Sequence, residues 1–159
     1  MPAVALRDIV TVEDRAAVMG LQRAPGQDAY VSSMPESFEE ADAYPGAMPH
    51  PWAVHDAGSG ALVGFAMISD GIPLPMDDDF IGPYFLWKLL IDASCQRRGY
   101  GRATIDAVVA YVATRPGADV LYTSCSDGPG SPRGFYLGYG FADTGRVHHG
   151  EHVLALDLA

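Results

Sequence analysis

Residues 84–103 read YFLWKLLIDASCQRRGYGRA, and this stretch decides the fold. Its first part, 84–91, is a nearly continuous apolar run, as in a central strand that is covered on both faces. Apolar side chains at helical spacing predict a helix over 99–114, and the run 120–124 predicts another buried strand. A strand, a helix and a strand in this order predict a right-handed parallel crossover.

The segments around this crossover are shorter strands and helices. Capping residues mark three helix starts: Thr11 with Asp14, Ser33 with Pro35 in the first turn, and Ser131 followed by Pro132. The other predicted elements are strand 4–9, helix 11–22, helix 33–43, strands 52–55 and 62–69, helix 131–138, and strands 141–147 and 152–158. This order, β-α-α-β-β-β-α-β-α-β-β, predicts an α/β fold with a mixed central sheet. A chain of 159 residues has the length of a single domain, 1–159.

The amino-acid composition limits the classes of binding partner that are expected. The chain has 20 acids and 10 lysines and arginines, a net charge of −10. This argues against general binding to nucleic acid or to an anionic membrane, because both need a basic face. No run approaches the ~18 apolar residues of a membrane span. The first residues reach Arg7 and Asp8 too soon for a signal peptide, so we expect a cytoplasmic enzyme or binding domain.

The charge is unevenly distributed along the chain. From Ala24 to Trp87 there is no lysine or arginine, and this stretch holds ten acids: Asp28, Glu36, Glu39, Glu40, Asp42, Asp56, Asp70, Asp77, Asp78 and Asp79. The rest of the chain is neutral, so the whole excess charge lies in this one segment. Arginines, in contrast, cluster at positions 97, 98 and 102.

Neither the cysteines nor the histidines form a metal pattern. Cys95 and Cys125 lack the spacing of a zinc site or of a disulfide framework, and two buried thiols are expected. His148, His149 and His152 flank a predicted hairpin turn, with no cluster of acids or cysteines beside them. The sequence therefore predicts no metal site.

The segment between strand 84–91 and helix 99–114 carries the strongest functional signal. Two glycines and three arginines coincide at a strand–helix junction, where free backbone N–H groups and the helix dipole favour an anion such as phosphate. A Walker loop is absent, and a dinucleotide fingerprint would need a third glycine where Thr104 stands.

The motif Gln96-x-x-Gly99-x-Gly101 resembles the signature of the GNAT acetyltransferase superfamily. The run Phe135-Tyr136-x-x-x-Gly-Phe141 is similar to the second motif of that superfamily, and the order of elements agrees from end to end. The segments FLWKLLID and QRRGYGRA also resemble bacterial spermine/spermidine-type acetyltransferases. The resemblance implies a single-domain GNAT-like fold, with splayed strands in the mixed sheet and helices on both faces.

The resemblance also implies roles for individual residues. Acetyl-CoA would be the co-substrate, and Tyr136 would protonate the departing thiolate. Residues implied in cofactor binding are the backbone of Leu89, Leu90 and Ile91, the loop Gln96, Arg97, Arg98, Gly99, Tyr100 and Gly101, and Arg102 and Ser131. Gly99 and Gly101 would be small because a side chain there would push the phosphates away. Many relatives have an asparagine where Pro129 stands here, and Ser131 would supply a cap and a contact instead.

The general base and the acceptor stay open at this stage. Asp92, Asp70 and the run Asp77–Asp79 are candidates for the base. The acidic stretch has two interpretations: a negative wall that concentrates a cationic primary amine, or surface acids that keep the protein soluble. Aromatic residues in this stretch could contact that amine by cation–π interaction, although such residues are more often part of the core: Tyr30, Phe38, Tyr44 and Trp52.

Several acceptors and two other functions fit these features. A polyamine-like small molecule is the first acceptor, and an aminoglycoside or a protein or peptide amine is the alternative. A non-catalytic acyl-CoA-binding module and a nucleotide-binding protein are the competing functions. Dimers are common in the superfamily, so a homodimer is compatible with the sequence.

Overall fold

The computed structural model describes residues 2–159, and it confirms the predicted order of strands and helices. The elements are β1 (Val4–Asp8), α1 (Val12–Val18), α2 (Met34–Ala43), β2 (Pro49–Asp56), β3 (Leu62–Asp70), β4 (Tyr84–Ile91), α3 (Tyr100–Val112), β5 (Val120–Cys125), α4 (Arg133–Tyr139), β6 (Ala142–His148) and β7 (Glu151–Asp157). Three short 3₁₀ helices, which the sequence did not predict, lie at Gln27–Ala29, Pro45–Ala47 and Ala93–Cys95.

All the described strands belong to one seven-stranded sheet of order β1-β2-β3-β4-β5-β7-β6. β4 and β5 run parallel, and the other neighbours are antiparallel, which confirms the mixed sheet and the crossover through α3. β4 occupies the central position, as its apolar sequence predicts. Within residues 2–159, none of the helices combines the length and the apolar character needed to cross a membrane.

Local capping sequences set where the first two helices begin. Thr11 and Asp14 form a reciprocal capping box at α1, and Ser33 with Glu36 forms another at α2. α1 ends at Val18 rather than near Gln22. The backbone N–H of Gln22 instead donates to the Asp92 carboxylate at 2.8 Å, a long-range bond that holds this segment outside the helix. Helix 131–138 likewise begins later than predicted, at Arg133.

Helices cover both faces of the sheet, as predicted. α3 and α4 cover one face, which we call the cofactor face, and its core includes the fully buried Ile105, Val108 and Val112. α1 and α2 cover the other face, which we call the acceptor face, and its core includes Val18 and Met34. Each such side chain contributes about 1.5–3 kcal/mol when it is fully buried.

The sheet opens at its centre, between β4 and β5. In the described chain, Phe85 and Tyr122 are the one register pair between these strands. A bulge in β4 lies just beyond that pair, because Met67 of β3 pairs with Lys88 and Ile68 pairs with Leu86. Trp87 is the extra residue, so Trp87 and Lys88 both point to the acceptor face. The bulge bends β4 away from β5.

Candidate active site

A cleft of about 1510 Å³ occupies the opening between β4 and β5. Its walls come from both faces of the sheet: loop 96–102 and α4 on the cofactor face, and α2 and the β3–β4 segment on the acceptor face. The two strands expose unpaired backbone groups along the opening, so the cleft can hold an extended ligand by main-chain hydrogen bonds.

Loop 96–102 lines the end of this cleft on the cofactor face, and its backbone has the geometry of a candidate anion site. Gly99 is the N-cap of α3 with a left-handed φ of 86°, and Arg97 also has a positive φ, 62°. The first intrahelical bond of α3 runs from the N–H of Ala103 to the carbonyl of Gly99, so the preceding N–H groups have no helical partner. With the dipole of a 13-residue helix behind them, these donors attract phosphate.

The two signature glycines are required by the protein's own packing. A Cβ on Gly101 would lie 3.2 Å from Cζ of Phe135, which is tighter than ordinary contact. A Cβ on Gly99 would lie 3.2 Å from Cδ of Pro2, in a backbone conformation that favours glycine. Internal packing therefore favours glycine at both positions, in addition to the room for phosphate that the family resemblance implies.

Hydrogen bonds from two side chains of loop 96–102 hold this loop in position. The Gln96 amide donates to the carbonyl of Ile91 at 2.7 Å, which ties the loop to the end of β4. The Tyr100 hydroxyl donates to the Asp56 carboxylate at 2.7 Å, and this hydrogen bond raises the pKa of Tyr100. These side chains shape the site, and the backbone N–H groups remain for the ligand.

Most of the predicted cofactor-binding residues line the cleft: Leu89, Ile91, Gln96, Arg97, Gly99, Tyr100, Gly101, Arg102 and Ser131. Leu90 and Arg98 do not. The Leu90 side chain is buried in the core of the acceptor face, so only its backbone is available for the predicted contact with the cofactor. Arg98 is exposed away from the lining. Ser131 accepts from the N–H of Arg133 at 3.2 Å and donates to the carbonyl of Ser126 at 2.6 Å. The N-cap position of α4 itself is Pro132, one residue later than the sequence predicts.

Tyr136 stands at the cleft on the cofactor face and is 7% exposed. Its ring packs against Phe135 and Phe141 at centroid distances of 5.6 and 5.5 Å. Burial raises the pKa of Tyr136 to about 12. The phenol therefore keeps its proton at neutral pH and can act as a proton donor.

The acceptor face of the opening carries a second set of polar groups, which the sequence analysis did not identify. The Ser124 hydroxyl donates to Glu151 Oε1 at 2.8 Å. Lys88 Nζ forms an ion pair with Glu40 and donates to the Ser32 hydroxyl at 2.8 Å. These contacts join residues far apart in the chain, and no local pattern marks them.

Segment 71–83, between β3 and β4, crosses over β5 and covers the acceptor end. A Cβ on Gly82 would lie 2.5 Å from the Tyr122 ring, so the backbone here passes directly over that ring. Earlier in the segment, the carbonyl of Asp78 accepts a hydrogen bond from the His148 ring N–H at 3.2 Å. His149 lies 3.8 Å from the Asp79 carboxylate. The turn between β6 and β7 thus meets this segment at the mouth of the cleft.

Two of the predicted base candidates lie outside the cleft. Asp92 accepts hydrogen bonds from Gln22 and Ser94 and caps a 3₁₀ helix. Asp70 accepts from the Tyr111 hydroxyl at 2.6 Å and from Arg115 Nε at 3.0 Å. Burial alone would raise the pKa of Asp70, but these hydrogen bonds outweigh it and hold the pKa below its usual value. Both carboxylates are structural.

The predicted negative wall is narrower than the acidic stretch. Of its ten acids, Glu40, Asp77 and Asp79 line the cleft, and the others lie elsewhere on the described chain. The aromatic candidates divide in the same way. Tyr30 and Tyr44 line the cleft, whereas Phe38 and Trp52 are core residues, 3% and 2% exposed. Those two side chains pack inward from their helix and their strand, which is the core position that the sequence left open as the alternative.

The cysteines are free, as predicted, but one is not buried. Cys95 is half-buried and lines the cleft beside loop 96–102. Burial raises the pKa of the Cys125 thiol. Within residues 2–159 no group of three or more histidine, cysteine or acidic side chains could hold a metal ion.

An anion site and a buried proton donor in one cleft are what a group-transfer enzyme needs. A family model described as Acetyltransferase (GNAT) family matches residues 16–141. The chain belongs to this family, as the motifs at Gln96 and Tyr136 predict. It is an N-acetyltransferase, and enzymes of this family use acetyl-CoA.

Solved structures of similar shape agree with this assignment. A putative GNAT acetyltransferase from Desulfovibrio desulfuricans is 22% identical with a TM-score of 0.64, over 99% of this chain and 100% of that one. The spermidine/spermine N-acetyltransferase SpeG from Vibrio cholerae is 15% identical with a TM-score of 0.60, over 98% and 93%. AtaTR bound with AcCoA is 16% identical with a TM-score of 0.65, over 98% and 94%. At these identities the likeness shows the fold. No curated protein matches the chain by sequence.

Proposed function

We propose that this chain, as one N-acetyltransferase domain, transfers the acetyl group of acetyl-CoA to a primary amine of a small, cationic, polyamine-like acceptor. Both substrates would be bound together in a ternary complex. The observation that carries the proposal is the cleft between β4 and β5, which has free backbone N–H groups and two arginines at one end and an excess of carboxylates over lysines and arginines at the other.

The residues of the cofactor end fit acetyl-CoA. The free N–H groups before Ala103 and the charges of Arg97 and Arg102 suit its phosphates. The backbone of 89–91, which the bulge releases from β5, offers hydrogen bonds to an extended arm. When bound, acetyl-CoA supplies a thioester, from which the acetyl group goes to the amine nitrogen while coenzyme A leaves as a thiol.

The protein's own part on the cofactor face is proton donation. Tyr136 holds a phenolic proton at neutral pH, because burial raises its pKa to about 12. The neighbouring Thr123 hydroxyl donates to the carbonyl of Leu86 at 3.0 Å, and its hydrogen bond with Tyr136 partly offsets the effect of burial on the pKa of that phenol. Such a positioned acid contributes about 10²–10⁴-fold to a rate.

The charges at the acceptor end favour a cation with more than one positive group. Among residues 2–159, Lys88 is the one lysine or arginine lining the cleft outside loop 96–102, and Glu40 neutralises it. Asp77, Asp79 and Glu151 then give this end a negative potential, which raises the encounter rate of a polycation. The structural similarity to a spermidine/spermine acetyltransferase supports the same acceptor class.

A two-part experiment tests this function. Acetyl-CoA should raise the melting temperature, and free thiol should be released when spermidine or spermine is added. Kanamycin and a lysine peptide in the same assay test the aminoglycoside and peptide alternatives. No thermal shift at saturating acetyl-CoA would refute the proposal. A shift without thiol release from any amine would favour a non-catalytic acyl-CoA-binding module.

The remaining expectations stay predictions: a cytoplasmic location, no nucleic-acid or membrane partner, and a homodimer as one compatible assembly. The N-acetyltransferase proposal does not depend on them. A sedimentation measurement and a fractionation experiment would test the assembly and the location.

A further inference from the structure

Glu151 is a carboxylate that the fold holds at the acceptor end without neutralising it. It begins β7, lines the cleft and accepts a hydrogen bond from Ser124 Oγ at 2.8 Å. Among residues 2–159, no lysine or arginine forms an ion pair with it. A single hydroxyl donor orients the carboxylate and leaves most of its lone pairs for a ligand.

The sheet register explains why Glu151 faces the opening. Ser124 pairs directly with Val153, and Glu151 lies two residues before Val153, so Ser124 and Glu151 share the acceptor face. The neighbouring Cys125 points to the opposite face, where it belongs to the same core cluster as Tyr136. Glu151 and Tyr136 therefore reach the opening between β4 and β5 from opposite faces of the sheet.

The other acids that line the cleft are less suited to accept a proton there. Glu40 is paired with Lys88. Asp77 and Asp79 lie on segment 71–83 and are exposed at the mouth of the cleft, and Asp79 faces His149. Of these four, Glu151 is the one held on a strand that borders the opening by a neutral hydroxyl, and not by a cation that neutralises it.

Acetyl transfer to an amine needs a proton acceptor, because a primary amine has a pKa near 10 and binds at neutral pH as an ammonium ion. We infer that Glu151 is the proton acceptor of the reaction: its carboxylate takes one proton from the ammonium nitrogen, and Ser124 positions that carboxylate. The nitrogen lone pair freed in this way forms the new C–N bond. As the C–S bond breaks, the coenzyme A thiolate takes a proton from Tyr136 on the other face. The nitrogen loses its second proton as it becomes an amide nitrogen, this proton restores Tyr136 through solvent, and Glu151 releases its proton to solvent. The inference rests on the proposed amine acceptor.

Other ionisable groups lie on the elements packed around Glu151, and they contribute to the pH dependence of the reaction. They are Cys125 on β5, Tyr136 and Arg133 on α4, His148 and His149 in the β6–β7 turn, His152 on β7 with its partner Asp127, Asp143 on β6, and Asp79 across the mouth. A comparison between variants of Glu151 alone keeps all of these constant.

The test is the pH dependence of kcat/KM for spermidine in Glu151→Gln, or for the fastest amine of the panel above. At pH 7 the loss should be about 10²–10⁴-fold, the usual contribution of a general base. The remaining rate should rise about tenfold per pH unit toward pH ~10, because the variant depends on amine that is already deprotonated in solution. The deficit should therefore almost vanish at high pH.

Three variants separate this role from a structural one. Glu39→Gln, an exposed acid on α2 outside the cleft, is the matched control and should behave as the wild type. Glu151→Asp should recover part of the rate at pH 7, and Ser124→Ala should lose less than Glu151→Gln. The rise in melting temperature with coenzyme A should be the same in all of them.

The outcomes are distinct. A deficit in Glu151→Gln that stays constant with pH, or no deficit at pH 7, overturns the inference and leaves the acetyltransferase function intact. A wild type that binds coenzyme A but acetylates no amine overturns both, since Glu151 then has no ammonium proton to accept. A shrinking deficit together with the aspartate rescue supports it.

Discussion

Gly82→Ala tests whether segment 71–83 forms the acceptor end of the cleft. The added Cβ would lie 2.5 Å from Cδ2 and 2.6 Å from Cε2 of Tyr122, about 0.9 Å short of ordinary contact at 3.4 Å. The φ of Gly82 is not in the left-handed region, so the effect is steric alone. Both neighbouring atoms belong to a ring, which cannot bend aside, and the backbone must move instead.

The size of the effect follows from that overlap. Overpacking of this kind costs about 1–3 kcal/mol, and for a chain of this size each kcal/mol lowers the melting temperature by about 2–4 °C. We therefore expect a fall of about 2–12 °C. The KM for spermidine should rise, because the displaced segment carries Asp77 and Asp79. The shift produced by acetyl-CoA should not change, because loop 96–102 lies at the other end.

Thermal unfolding and steady-state kinetics measure both effects. Gly20→Ala is the matched control, because a Cβ there meets nothing within 4 Å. Tyr122→Ala removes the ring, so Gly82→Ala should cost less in that background. If Gly82→Ala has the melting temperature and the spermidine KM of Gly20→Ala, the placement of this segment over β5 is refuted.

Three further substitutions are tested by kinetics, calorimetry and thermal unfolding. Tyr136→Phe should lower kcat by about 10²–10⁴-fold while keeping the thermal shift with coenzyme A, and a full rate would exclude Tyr136 as the acid. Gly99→Glu should abolish coenzyme A binding in calorimetry, because it places bulk and negative charge at the anion site; retained micromolar affinity would contradict this. Asp70 has a pKa below its usual 3.8, so it stabilises the fold above that value, and the stability is lost as pH falls through the lowered pKa. Asp70→Asn should therefore melt lower than the wild type at pH 7 and show a smaller further loss between pH 5 and pH 3.

Most of the fold could be predicted from local sequence patterns, each of which spans only a few residues. The capping box at Thr11 and Asp14, the apolar run of 84–91 and the glycines of the signature loop each act over one turn or one strand. Such signals locate the helix starts, the central strand and the anion site. Local patterns also predicted the parallel crossover, because its handedness and direction follow from the order of strand, helix and strand.

What the sequence could not show depends on pairing between distant segments. The end of α1 is set by the bond between Gln22 and Asp92. The partnership of Ser124 with Glu151 depends on the register of β5 against β7, and a shift of one residue would place them on opposite faces. The sequence left open whether Trp52 lines the cleft or the core, and the direction of its side chain from β2 places it in the core.

The bulge at Trp87 makes the active-site opening depend on the number of residues in β4 more than on their identity. Before the bulge, Leu86 faces α3; after it, Lys88 and Leu90 face α1 and α2, which simple alternation would not allow. Deleting Trp87 would remove the bulge, and Lys88 and Leu90 would keep their present faces because Leu86 and Lys88 would then alternate as direct neighbours. The edge of β4 beside β5 would straighten and the opening would narrow. Replacing Trp87 by another large residue would leave the count, and therefore the opening, unchanged.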